Sequence, residues 1–213
     1  SSSYRALLPT SLITPGATST IDLAGFDGFY KSNGAGILVI FDDGTGAATI
    51  VVRDGNDLAW DGFLAGDSRK ICEKQVFNFA AAPEPTDRAG NIVMFASSVE
   101  NPRPHTLTVE IDGSDIVGSP FCKPFADNDG HEWDTYGLPL TVPHAATSLG
   151  LLPVSEDCGA TGLNPASIAW VCAAFVLEDI PEEGEGCTPG YWKQEQHACK
   201  WDDTPYSPSD NFN

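Results

Sequence analysis

Six consecutive residues, Asp127-Asn128-Asp129-Gly130-His131-Glu132, gather several oxygen donors in a turn. Carboxylates and an amide gathered in a turn are ligands that a hard cation such as calcium accepts. Asp127, Asp129 and Glu132 are therefore the candidate metal set. The run departs from the helix-loop-helix calcium pattern, because Glu132 stands where that loop needs glycine and Leu138 where it needs a bidentate glutamate. Asp42-Asp43 and the trio Asp54, Asp57 and Asp61 are similar groups. For each, a solvated turn is the simpler reading, since Asp and Asn hydrogen-bond their own backbone in turns. Calcium is the single cofactor for which the sequence makes a case.

Covalent and acid–base chemistry finds less support. No GxSxG elbow, P-loop or strand-linked GxGxxG occurs. His131-Glu132 starts like a zinc-protease helix, but Asp134 and Thr135 follow where the second histidine belongs. The other histidines, His105, His144 and His197, are scattered. The chain is read as a non-enzyme. Its cysteines are Cys72, Cys122, Cys158, Cys172, Cys187 and Cys199, an even number with wide spacing and no CxxC pair. That pattern fits disulfides in an oxidising compartment. Pairing in sequence order, Cys72–Cys122, Cys158–Cys172 and Cys187–Cys199, is one of about 15 connectivities that six cysteines allow. Cys187, His197 and Cys199 do not match familiar zinc-ligand spacing, so a disulfide is the better reading of that pair.

The elements that must carry these residues are short strands. Residues 37–41 form a continuous apolar run suited to a strand covered on both faces. Asp43-Gly44 then leads into residues 48–52, which Asp54-Gly55 closes, an arrangement that predicts a hairpin. Residues 106–111 alternate cleanly, with Leu107, Val109 and Ile111 on one face. Phe77 and Phe79, residues 92–95 and residues 138–142 add further strands. Residues 168–177 suit either a strand or a buried helix. Short strands with frequent Asp-Gly turns predict an all-β fold, an antiparallel β-sandwich of jelly-roll or Ig-like type, over residues 21–181.

The two ends differ from this body. Residues 1–20 mix Ser, Thr and Pro with Leu7, Leu8, Leu12 and Ile13, and Pro9 and Pro15 discourage helix. They read as an extended N-terminal arm whose apolar side chains need a receptor. Residues 182–186 are an acidic linker to a small appendage, residues 187–213, stapled by Cys187 and Cys199. Within it Tyr191, Trp192 and Trp201 either pack on Pro189 and Pro205 or meet a partner.

Cys187-Thr188-Pro189-Gly190-Tyr191-Trp192-Lys193 resembles the motif that recurs near the C-termini of secreted bacterial surface proteins. The resemblance is confined to these residues; it implies a secreted, extracellular or cell-surface location and no chemistry. The opening Ser1-Ser2-Ser3, without methionine or signal peptide, reads as a processed form.

Charge narrows the partners. Asp and Glu number 30 against 11 Lys and Arg, a formal charge of -19. Such a surface repels nucleic acid and anionic lipid, and the longest apolar run is about half the ~20 residues of a membrane helix. Neither nucleic acid binding nor membrane insertion is expected. The leading expectation is a structural subunit of an extracellular filament or surface assembly. It would join copies of itself through its terminal segments, including strand addition by the arm. The alternative is a secreted carbohydrate- or cell-wall-binding sandwich, with calcium, whose contacts to a polysaccharide would be aromatics such as Trp60 or Trp133.

Overall fold

The computed structural model describes residues 2–24, 33–41, 47–83, 85–100, 102–125, 129 and 132–179. Among these residues nine strands, all paired antiparallel, form two sheets. They are β1 (Ala48–Ala59), β2 (Gln75–Asn78), β3 (Arg88–Ser97), β4 (Thr106–Ile111) and β5 (Ser114–Asp115), followed by β6 (Phe121–Cys122), β7 (Trp133–Val142), β8 (Ser148–Val154) and β9 (Ile168–Glu178). One sheet has the order β1-β9-β3-β7; the other runs β2-β8-β4-β5, with β6 also on β4. Among the described residues the helical content is two single 3-10 turns, Thr10–Leu12 and Ser68–Lys70. The expected all-β antiparallel sandwich is what forms.

The core between the sheets follows from alternation. Leu107 and Val109 of β4, Leu149 and Leu151 of β8 and Phe77 of β2 point inward and are fully buried. They meet Ile92, Met94 and Ala96 of β3 and Ala173, Phe175 and Leu177 of β9 in one cluster. Phe175 is the hub, with Phe77 and Phe79 ring centroids at 6.0 and 5.5 Å. Residues 168–177 resolve as a strand because ladders to β1 and β3 use both edges of β9, which a helix does not offer.

Three expectations are corrected. Residues 37–41 are exposed and in no strand, so the hairpin across Asp43-Gly44 has no first strand; that turn itself lies outside the described residues. Asp54-Gly55 does not close a strand: β1 continues through it as a bulge, since pairing with β9 holds on both sides. Sequence-order disulfide pairing is also wrong for the sandwich. Cys122 bonds Cys158, while Cys72 and Cys172 are free. The reason is topological: β6 lies on β4 with Cys122 opposite Thr106, and Thr106 also pairs Val154 at the end of β8. Cys158 leaves that end four residues later. Cys72 instead packs in the core, where burial and the Asp57 carboxylate push its thiol pKa up.

The staple closes a corner rich in satisfied polar groups. His105 is buried and stacks on Phe125 at 5.5 Å. Its Nε2 accepts the Phe125 N–H at 3.0 Å, and Nδ1 faces the Arg103 carbonyl at 3.2 Å. Burial holds its pKa down to about 4, so the ring is neutral. Asp157 locks the loop beside the staple by accepting the N–H groups of Thr161 and Gly162, and at the opposite end of β4 Asp112 accepts those of Thr147 and Ser148. These bonds lower both carboxyl pKa values, so part of the acidity serves as turn architecture.

Candidate functional site

The feature that a folded sandwich does not need is the outer face of the β1-β9-β3-β7 sheet. A sheet with one wet face alternates apolar and polar residues, yet here the outer side carries a contiguous apolar patch across β1, β9 and β3. Register places Val52 beside Ala174 and Ile50 beside Val176, and Val93 beside Ala174. Phe95, Trp133, Ala169 and Ala174 are buried although none belongs to the inter-sheet core. Something must cover them.

Two segments do. Residues 33–41 pass directly over the aromatics: a Cβ added at Gly34 would lie 2.6 Å from Trp133, and one at Gly36 2.8 Å from the Phe95 ring. Only glycine permits that approach. The arm then runs beside β1. Its anchor is the bulge, where Asp54 pairs Cys172 and Asp57 pairs Trp170, leaving Gly55 and Asn56 outside the ladder. Ser3 Oγ donates to the freed Gly55 carbonyl at 2.6 Å, and Arg5 reaches Asp54 at 2.8 Å. The opposite ladder shifts at the same place, since Phe95 pairs Cys172 and Ala96 pairs Trp170. Val171 and Cys172 therefore both line the outer side.

The cover is incomplete. Between the arm, residues 36–41 and the sheet lies a groove of about 750 Å³ lined mainly by apolar side chains. Tyr4 and Leu7 of the arm are each 96% exposed, and Ile40 and Phe41 are 57% exposed. Leu8 and Leu12 are partly exposed, and Ile13 is half-buried. The arm is held by polar side-chain contacts and makes no strand on its own sandwich.

The acidic candidates are not brought together. Asp54 pairs Arg5, Asp61 pairs Lys70, and Asp57 accepts the Glu73 N–H, so the trio is spread over separate partners. Among the described residues no three His, Cys, Asp or Glu side chains converge on a point. Asp129 and Glu132 are described but Asp127 is not, so the calcium set as a whole lies partly outside the described residues. Tyr191, Trp192, Trp201, Cys187 and Cys199 lie wholly outside them. Trp133, 9% exposed, is packed under residues 33–41 and offers no platform. Trp60 is 38% exposed, set edge-on against Phe63 at 5.4 Å, with Arg69 over that ring at 4.3 Å. Among the described residues no helix is long and apolar enough to cross a membrane. The outer-face groove escaped sequence reasoning, although the unbroken apolar run of β9 was its signal: a strand buried on both faces needs two covers.

No family model and no curated protein matches this chain. Among solved structures it is similar to CBM35 from Paenibacillus barcinonensis, at 8% identity over 61% of this chain and 98% of that chain, with a TM-score of 0.32. It is also similar to a chain of the infectious bursal disease virus Gx strain, at 13% identity, TM-score 0.34, over 69% of this chain and 38% of that one. A third is the coat protein of tobacco streak virus, at 6% identity, TM-score 0.29, over 66% and 94%. Values this low assign no function; the class that the chain's own strands define is an antiparallel β-sandwich.

Proposed function

We propose that this chain is a structural subunit of an extracellular filament or surface assembly, joined to copies of itself through its terminal segments, and that it is not an enzyme. The observation that carries this reading is the half-filled outer face: an apolar groove of about 750 Å³ beside an arm whose Tyr4 and Leu7 touch solvent. Exposed contiguous apolar surface of that kind marks interaction sites. The resemblance of residues 187–193 to secreted surface proteins supports the extracellular setting. Electron microscopy and sedimentation of the native chain test the reading, with residues 2–20 deleted as the comparison. Ordered polymers that disappear on deletion are expected; uniform monomers of the intact chain at all concentrations would refute it.

Trp60 favours a second reading, a secreted carbohydrate- or cell-wall-binding module. Its half-open ring sits beside Asp61 and Lys70, an apolar plate with polar neighbours. Polysaccharide-dependent tryptophan fluorescence that is lost in Trp60→Ala would establish it. The same titration with and without calcium tests Asp129 and Glu132 as ligands.

A further inference from the structure

We propose that the groove on the outer face of the β1-β9-β3-β7 sheet is the receptor for residues 3–13 of a second copy of this chain, so that subunits join by exchanging arms across this face. The inference rests on the assembly reading above and adds its acceptor and its contacts.

Both halves of the joint are present in every chain and neither is satisfied there. The donor half is Tyr4 and Leu7, fully in solvent even though the arm lies beside the groove. The acceptor half is residues 37–41 with Val52 and Phe95, bounding unfilled space. An arm held by two polar anchors, with Tyr4 and Leu7 unburied, gains little at these two side chains from staying in place. Burying a Leu-sized side chain contributes about 1.5–3 kcal/mol, whereas an exposed ion pair contributes about 0–1 kcal/mol.

Charge selects the arm as the occupant. Two bodies carrying 30 acidic and 11 basic residues per chain repel when face meets face. Arg5 is the only charged side chain in residues 1–21, so the arm is the cationic element that can approach an acidic neighbour. The receptor presents Asp54 at the bulge and the Gly55 carbonyl beside it, the two groups that Arg5 and Ser3 of the same chain hold and that an exchanged arm would take over. The connection allows redirection. Behind the arm a turn closes by Ala17 N–H to the Thr14 carbonyl, with Gly16 at φ 75° and open space around it, and residues 18–24 follow without strand or helix. Arm and groove are different surfaces, so the contact is heterologous. Passed on from chain to chain it builds an open polymer; returned between two chains it closes a dimer.

Leu7→Asp is the first variant, because a side chain 96% exposed in the single chain adds nothing to its folding. Unchanged thermal melting, with association weakened by at least about tenfold in sedimentation velocity, is expected. Assembly at the native level would overturn this acceptor while leaving the assembly reading intact; an intact chain that never associates would end both. Charge exchange then supplies the signature of contact in trans. Arg5→Glu and Asp54→Arg chains should each associate poorly alone, because every arm meets a like charge. Mixed in equal amounts, they complement one another only between molecules and should recover association. A mixture that sediments as the two variants do separately would overturn the proposal.

Discussion

The stapled corner around His105 and the outer face around Phe95 are both partly buried, yet they are held in opposite ways. At the corner, the ring nitrogens of His105 have partners, Asp157 locks the adjoining loop, and a disulfide ties the β6 end to the chain beyond β8. On the outer face the covering segments carry no ladder, the anchors are two side-chain contacts, and apolar groups stay wet. Polar groups settle their accounts locally, because an unmet buried donor is costly. Apolar surface makes no such directional demand, and on this face part of it stays open.

That contrast is broken or sharpened by four measurements. Phe175→Ala removes the ring that joins the two sheets and should cost about 3–5 kcal/mol in denaturant unfolding. If Ile40→Ser on the outer face costs as much, the two regions form one core and the contrast fails. Replacing Cys122 and Cys158 together by Ala opens a loop of sequence separation 36 and should cost about 2–4 kcal/mol. A change near zero would show that the polar bonds alone hold the corner.

The third measurement is pH. His105 binds a proton at about 4 when folded and at an ordinary 6.5 when unfolded. The unfolded chain therefore binds more protons between those values, and stability rises with pH across that window. Its contribution is complete above about 6.5 and falls by about 3 kcal/mol as pH drops to about 4. His105→Gln should flatten that slope while leaving the loss at lower pH, to which Asp112 and Asp157 contribute because their backbone hydrogen bonds hold their carboxyl pKa values below the ordinary one. A slope unchanged in that variant would remove His105 from the account. The smallest effect belongs to Ile40→Ser itself, within about 0.5 kcal/mol by thermal melting, as for other exposed sites.

Legibility in the sequence followed how locally each feature is determined. Residues 106–111 alternate and became β4 with the same bounds, because side-chain parity alone specifies a half-buried strand. The apolar run of residues 37–41 carried the same composition as a buried strand, but composition does not say whether a run meets a sheet's edge or its face, and these residues became a cover over the face instead. β8 went unread because Gly150 and Pro153 interrupt its pattern; both are tolerated within the β4 ladder, Gly150 opposite Glu110 and Pro153 opposite Leu107. The Cys122–Cys158 pairing depends on where β6 and β8 meet β4, a contact between distant segments that spacing does not encode. The apolar run of β9 signals that a second cover is needed, but not what the cover is: the groove is a relation between the arm, a loop and a sheet face.

One consequence follows from the bulge at Val171 and Cys172. On the far side of it the inward residues of β9 are odd-numbered, Ala173, Phe175 and Leu177; on the near side they are even, Ile168 and Trp170. The two residues act as a phase shifter, resetting the reading frame of the strand midway. Their chemical identity matters little to that task, but their number is fixed. Substituting Val171 should be tolerated in soluble expression. Deleting it would turn half of the central strand inside out, so length at this point is under tighter constraint than sequence.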